Sequence, residues 1–333
     1  MNGMSAMNKH KPIKGIAIFC VVLVLVLVIA YSGLRLLEST VFNSSEGSTG
    51  NTVSKTITRN GIDYFPRQDI TVLMVIGIDR LGEFESSGFY RNEASADVVA
   101  LLIFDEKNEE CSALYLNRDT ILEMPALGIT GRRAGTFIGQ LALSYSYGSG
   151  LEDSAELTRE AVSNFLYGIN IDYYAVMTMD AITILNDSVG GVTVNVVDDF
   201  SEIDPTITMG EVTLKGEQSI NFVRTRRGLG DQLNTSRIER HKEYIEGFVK
   251  AFRAKKEQSS SFMLSAYSDV QPYVISDCSL NTLSVMMDKF AEYEIKEIVS
   301  PEGESVLADF YEFHVDEQKL DELILRLFYA PKE

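Results

Sequence analysis

Ile70-Thr-Val-Leu-Met-Val-Ile-Gly-Ile78, followed at once by Asp79-Arg80, is an unbroken apolar run of strand length that stops on two opposite charges. A strand without polar alternation is one covered on both faces. Two similar runs follow, Asp97–Phe104 (DVVALLIF) and Cys111–Asn117 (CSALYLN). The link between them, residues 105–109, is short and favours antiparallel pairing. If the first pair is antiparallel as well, Asp79, Arg80, Asp97, Arg118 and Asp119 all fall at one edge of the sheet.

Working outward, the same texture continues. Leu157, Ala161, Val162, Phe165 and Leu166 mark one side of a helix that Asp153 or Ser154 can cap and Gly168 can end. Tyr173–Met179 reads as strand, residues 180–188 as helix, and Gly190-Gly191 as the turn into the alternating Val192–Val197. Strands and helices that alternate in this way give an α/β fold with a sheet flanked by helices. Beyond Arg253 the chain holds a polar loop at 255–261, a helix around 280–293 and an amphipathic segment at 316–328.

Charge sets a second constraint. The chain carries a formal net charge of −18, yet Arg224, Arg226, Arg237 and Arg240 crowd into one stretch. On a helix from Ser236 to Phe252, Ile238, Ile245, Phe248, Val249 and Phe252 form the apolar face, with Arg237, Arg240 and His241 at its margin. Cations turned toward the protein body need anions there, either internal carboxylates or a ligand. Phosphate suits guanidinium best. With carboxylates alongside, the sheet edge suits a phosphate bound together with Mg²⁺ or Mn²⁺. The alternative is that Asp79-Arg80 and Arg118-Asp119 are turn residues in surface ion pairs, each worth about 0–1 kcal/mol.

Residues 15–34 hold no charge and, as a helix, span about 30 Å, enough for a bilayer core. Lys9, Lys11 and Lys14 precede them, which predicts a cytoplasmic N-terminus and an extracytoplasmic remainder. Ala30-Tyr-Ser32 offers a weak cleavage signal, so an uncleaved anchor and a cleaved leader are the two readings, of which run length favours the anchor. The expected layout is a short cytoplasmic segment 1–14, a transmembrane anchor 15–34, a stalk 35–68, a catalytic domain 69–300 and a C-terminal extension 301–333 of that domain. Residues 1–37 hold four of the 30 basic residues and no acid, leaving 26 against 48. So acidic a surface argues against nucleic acid. Cys111 and Cys278 read as buried thiols, with one disulfide as the alternative. There is no glycine-rich phosphate loop, no G-x-S-x-G and no H-E-x-x-H, and beyond the anchor only His241 and His314 could serve a hydrolase triad.

Six segments taken in series resemble the LytR-CpsA-Psr family: Val72-Leu-Met-Val-Ile-Gly-Ile-Asp-Arg80, Leu116-Asn-Arg-Asp-Thr120, Gly139-Gln-Leu-Ala-Leu-Ser-Tyr-Ser-Tyr-Gly148, Ile171-Asp-Tyr-Tyr174, Val189-Gly-Gly-Val192 and Leu214-Lys-Gly-Glu-Gln218, the last followed by the arginine pairs. The resemblance implies an α/β/α sandwich with a central mixed sheet. It implies an extracytoplasmic phosphotransferase that moves a glycopolymer, such as teichoic acid or capsular polysaccharide, from a polyprenyl pyrophosphate carrier to peptidoglycan. Asp79 and Asp97 match acidic positions near Mg²⁺; Arg118, Arg224, Arg226 and Arg237 match arginines around the pyrophosphate, to which Arg80, Arg240 and His241 are added as neighbours. Asp97, Arg118 and Asp119 are the candidate catalytic residues, with Asp97 or Asp119 as base, and the lipid tail is expected in an apolar groove. The chain departs from the pattern at Ser95, where arginine is usual and Arg91 is nearby, at Ala142 for asparagine and at His241 for glutamine. An active transferase and a weakly catalytic polyprenyl-phosphate-binding sensor of envelope synthesis are therefore the two functional readings.

Overall fold

The computed structural model describes residues 56–331, apart from 60, 226–233, 260–261, 280–281, 283–284, 287–288 and 290–292. The expected anchor at 15–34, Arg226 and most of the expected helix at 280–293 lie outside the described residues. Among the described residues, no helix is long and apolar enough to cross a membrane.

The chain enters through β1 (Ile57–Arg59) and β2 (Ile62–Pro66), then runs as an antiparallel meander through β3 (Ile70–Ile78), β4 (Ala96–Asp105) and β5 (Glu110–Leu116). A hairpin of β6 (Ile121–Leu127) and β7 (Arg133–Gln140) follows, then a 3-10 segment over Leu141–Tyr147, α1 (Glu152–Phe165), β8 (Tyr173–Met177) and α2 (Asp180–Ser188). The hairpin of β9 (Val192–Val196) and β10 (Gly210–Leu214) leads to α3 (Glu217–Arg224), α4 (Asn234–Gln258) and α5 (Phe262–Val270). β11 (Val274–Ser276), β12 (Glu294–Val299), the hairpin β13 (Gly303–Leu307) and β14 (Tyr311–Val315), α6 (Glu317–Phe328) and β15 (Tyr329–Pro331) complete the order.

The central sheet is mixed and six-stranded, in the order β11-β8-β3-β4-β5-β12. β8 runs parallel to β3 and β12 parallel to β5, while the other pairs are antiparallel. The missing polar alternation of β3 and β4 has a direct cause, since each face of the sheet carries its own core. Leu73, Val75, Ala100 and Leu102 pack with Leu185, Phe222, Tyr244 and Phe248 from α2, α3 and α4. Met74, Ile76, Leu101 and Ile103 pack on the other face with Tyr145, Ala161, Val162 and Ile324 from the 3-10 segment, α1 and α6. The helix-flanked sheet expected from sequence is thus present.

Three local expectations need correcting. Residues 57–66 are not spacer, because β2 pairs with β15 at the other end of the chain and β1 pairs with β2; a partner so distant leaves no local signal. Asp153 and Ser154 do not cap α1 from outside it. They lie within its first turn, where the Asp153 carboxylate accepts from Ser149 N–H (2.7 Å) and Ser154 Oγ from Gly150 N–H (2.8 Å), tying down the loop before the helix. The polar stretch expected as a loop from 255 continues α4 to Gln258. Asp316 does cap α6, accepting from the N–H groups of Gln318 and Lys319. Cys111 and Cys278 are free thiols.

Candidate functional site

The C-terminal ends of β3, β5 and β8 and the start of β4 meet at one edge of the sheet, since β4 is antiparallel to its neighbours and β8 is parallel to β3. The edge reading of Asp79, Arg80, Asp97, Arg118 and Asp119 therefore matches the topology.

Asp97 owes its position to a β-bulge. Gly77 faces Val98 but Ile78 faces Ala96, so Asp97 is the extra residue on β4. In consequence Ala96 and Val99, three positions apart, both join the core on the α1 side, where an uninterrupted strand would put them on opposite faces. Regular alternation would have put Asp97 on the face of Val99; the bulge re-aims it. Val99 faces Leu116 on β5, and two residues further along the ladder Asp97 Oδ1 accepts from Arg118 Nη1 in a salt bridge. Each partner's side chain is 25 % exposed, so the pair stays open to solvent and to a ligand.

Arg118 is held from two further directions, and its neighbour Asp119 is braced in turn. Its Nε lies 3.7 Å from Asp119 Oδ1, and that oxygen accepts from Gln140 Nε2 at 3.1 Å. Gln140 Nε2 also donates to the Tyr311 carbonyl (2.7 Å), and Phe313 N–H donates to the Asp119 carbonyl (2.8 Å), so β14 braces the turn after β5. The carbonyl of Arg118 accepts from Ala142 N–H at 2.9 Å. That tie uses only the backbone, so alanine at 142 serves it as well as asparagine could. The Gln140 side chain links Asp119 to a strand 171 residues further along the chain, which nothing local in the sequence reveals.

Asp79 is clasped to the segment entering β4. Its N–H donates to the Ser95 carbonyl (3.2 Å), and its Oδ1 accepts from Ser95 N–H (2.7 Å). Arg80 Nη1 donates to the Glu85 carbonyl (2.9 Å), while the Arg80 carbonyl accepts from Met179 N–H (2.9 Å) after β8. Asp79 and Asp97 lie at the same edge, and two carboxylates are a donor set that a hard divalent cation uses when water and ligand oxygens complete its shell, so the residue types present fit Mg²⁺ or Mn²⁺. Among the described residues, no group of three or more His, Cys, Asp or Glu side chains gathers as a protein-only metal site.

The downstream arginines part company. Arg224 ends α3 with its side chain exposed and makes no ion pair among the described residues. Arg237 and His241 stand on α4, with side chains outside the description. Arg240 is 3 % exposed and internally satisfied: Nη1 pairs with Asp198, Nε donates to the Phe222 carbonyl (3.1 Å), and Nη2 donates to the Thr225 carbonyl. The two carbonyls belong to the last turn of α3 and to its C-cap residue, Thr225, so Arg240 caps that helix in the way cations favour. Of the two alternatives for Arg240, an internal carboxylate and not a ligand is what it meets.

The model of the LytR_cpsA_psr family matches residues 37–328. A polyisoprenyl-teichoic acid–peptidoglycan teichoic acid transferase, TagU, of Enterococcus faecalis is 27 % identical over 266 residues, 79 % of this chain and 79 % of the relative. The Bacillus subtilis TagU is 23 % identical over 183 residues, 55 % of this chain and 52 % of its own, so the match spans about half of that relative. Among solved structures, TagT bound to LIIa-WTA superposes with a TM-score of 0.55 at 22 % identity, covering 78 % of this chain and 90 % of that one. The gbs0355 protein of Streptococcus agalactiae gives 0.59 at 21 %, covering 78 % and 86 %. These likenesses show the fold.

Proposed function

Because the chain belongs to the LytR-CpsA-Psr family, we propose that it is a membrane-anchored, extracytoplasmic phosphotransferase. Its donor is a glycopolymer of the teichoic acid or capsular polysaccharide type on a polyprenyl pyrophosphate, and its acceptor is peptidoglycan. The teichoic acid transferase names of its relatives support this reading. The observation that carries it is the braced Asp97–Arg118 pair at the open edge of the sheet. Transfer of a phosphoryl group needs charge neutralisation and alignment more than a strong nucleophile, and a guanidinium fixed before the ligand arrives supplies both.

In the reaction, an acceptor hydroxyl oxygen forms a bond to the polymer-bearing phosphorus. The bond from that phosphorus to the bridging oxygen breaks, and polyprenyl phosphate leaves with the electron pair. Arg118 neutralises the equatorial oxygens, with Arg224 and Arg80 as further cations. Asp97 or Asp119 takes the hydroxyl proton. Mg²⁺ or Mn²⁺, held by Asp79 and Asp97, supplies further charge neutralisation when bound. Residues 15–34 serve as the anchor, with the N-terminus cytoplasmic, which keeps the site on the side where peptidoglycan lies.

A weakly catalytic sensor of polyprenyl phosphates is the second reading, favoured by Ser95, which stands where arginine is usual in the family pattern and leaves Arg118 as the cation paired with Asp97. One experiment separates the two. Full-length protein in detergent is given Mg²⁺, a lipid-pyrophosphate-linked glycan and peptidoglycan fragments, and attachment and carrier release are followed together. The transferase predicts both, each abolished by Asp97→Ala and Arg118→Ala. Tight lipid binding with neither attachment nor release overturns it in favour of the sensor.

A further inference from the structure

Most described arginines of this acidic chain hold carboxylates: Arg59, Arg67, Arg118, Arg133, Arg159, Arg240 and Arg326 each make a salt bridge. Arg91 and Arg132 make none among the described residues, and the strap that carries Arg91 packs against the turn that carries Arg132. The guanidinium carbon of Arg91 lies 3.9 Å from the centroid of the Tyr147 ring, and that ring is 3.9 Å from Phe137 on β7. The adjacent Tyr90 ring packs so closely on the turn between β6 and β7 that a Cβ on Gly131 would stand 2.4 Å from it. Gly131 precedes Arg132, whose carbonyl accepts from Gly128 N–H (2.8 Å) and closes that turn.

The strap is anchored just past Arg91. Asn92 is buried; its N–H donates to the Ser146 carbonyl (2.9 Å), and its Nδ2 donates to the carbonyls of Tyr145 (2.8 Å) and Gly148 (3.1 Å). Ser146 Oγ donates to the Ala94 carbonyl (2.7 Å). A guanidinium laid on an aromatic ring beside a fixed backbone has already lost much of its rotamer freedom, yet it keeps its charge and donors. Its place relative to the sheet edge also follows. Ala142 N–H is bonded to the Arg118 carbonyl, and Tyr147 is five residues further along the 3-10 segment, about 10 Å at roughly 2 Å per residue.

We propose that Arg91 and Arg132, with Tyr90 and Tyr147 as their support, form a second anion-binding surface, which holds the anionic repeat units of a polymer whose reacting phosphate sits at Arg118. The inference rests on the transferase reading for its substrate, but its chemistry is separate: charged groups of the polymer chain, not the pyrophosphate or the lipid. A domain this acidic repels a polyanion elsewhere on its surface, so two exposed cations outside any salt bridge among the described residues, on segments that pack together, give such a polymer a path.

The test uses full-length protein in detergent and two lipid-free fluorescent probes, a short oligo(glycerol phosphate) and a neutral oligosaccharide of equal length, with binding read by anisotropy at two salt concentrations. The wild type should bind the phosphate oligomer and not the neutral one. Arg91→Ala combined with Arg132→Ala should weaken that binding about tenfold or more and flatten its salt dependence. Arg91→Lys should recover part of it. Arg118→Ala should abolish binding of a lipid pyrophosphate. Absence of wild-type binding, equal binding of the neutral probe, or an unchanged double variant overturns the proposal. If instead the lipid donor fails to bind while the oligomer result holds, the transferase reading fails and this surface stands.

Discussion

Replacing Arg240 by methionine should destabilise the protein severely, although the sequence groups this arginine with those that meet a ligand. The side chain is 3 % exposed and its partner Asp198 is 12 % exposed. Methionine would leave a carboxylate with little water and no cation, and would strip the Phe222 and Thr225 carbonyls of their donors. Breaking a buried pair from one side costs about 3–5 kcal/mol. The two carbonyl bonds, each about 1.5–3 kcal/mol with a charged donor, overlap with that figure and do not add to it. A loss of about 3–5 kcal/mol corresponds to a fall in Tm of roughly 6–20 °C. Arg118 offers the control: its pair with Asp97 is 25 % exposed on each side, so Arg118→Ala should cost about 0–1 kcal/mol. Urea unfolding of the two variants gives the comparison. Adding Asp198→Leu to Arg240→Met removes the orphaned charge and should recover much of the loss. A single variant within about 1 kcal/mol of wild type, or a double variant no better than the single, would refute the assignment of Arg240 as a buried structural cation.

Other expectations follow from particular contacts. Gly247→Ala should lower Tm, because the new Cβ would stand 2.3 Å from the Thr193 carbonyl oxygen and 2.9 Å from Val192 Cγ1, forcing α4 off β9; overpacking of about 1–3 kcal/mol outweighs a helix-propensity gain of about 1, and an unchanged or raised Tm contradicts the packing. Asp69 is held below the ordinary carboxylate range by hydrogen bonding from Arg67, and in Asp105 burial works upward but hydrogen bonds from Arg67 and Asn108 prevail. Their contribution is present above the ordinary carboxylate pKa and is lost as pH falls through the lowered values, so the stability gap between wild type and Arg67→Met should be full at neutral pH and close below about pH 4; a gap that widens in acid has the wrong sign. Burial pushes the Cys111 thiol up to about 12, so it should not be alkylated at pH 8 until the protein is unfolded, whereas the half-buried Cys278 should react sooner, and mass spectrometry before and after urea decides the matter.

Where structure was legible in the sequence, the information was local. The runs at 70–78, 97–104 and 111–117 name their own strands, and the five-residue link between the last two sets their sense, so the shared edge of Asp97 and Arg118 could be read directly and that of Asp79 only on the condition that the first pair is antiparallel. The bulge at Asp97 could not: it shows only when Gly77 and Ile78 are registered against their partners. Distance along the chain hid the rest. Phe313 braces Asp119 from β14, Gln140 ties it to Tyr311 across 171 residues and β15 completes a sheet begun by β1 and β2. Arg240 looked ligand-facing because helical periodicity locates a side chain at the margin of a face but does not say which carboxylate lies beyond it. Asp198 sits in an unremarkable acidic turn after β9.

The placement of β3 has a mechanical meaning. It starts beside the β1–β2–β15 sheet, where the chain arrives from its N-terminal side, and it ends at Asp79, about 30 Å away for nine extended residues. If one end of the molecule is tethered in a membrane and the other grips a polymer being joined to the wall, tension acts along this strand. Its ladder, with nine registered pairs to β4 and five to β8, is then loaded lengthwise in shear, so the hydrogen bonds share the force instead of yielding one after another as they would in peeling.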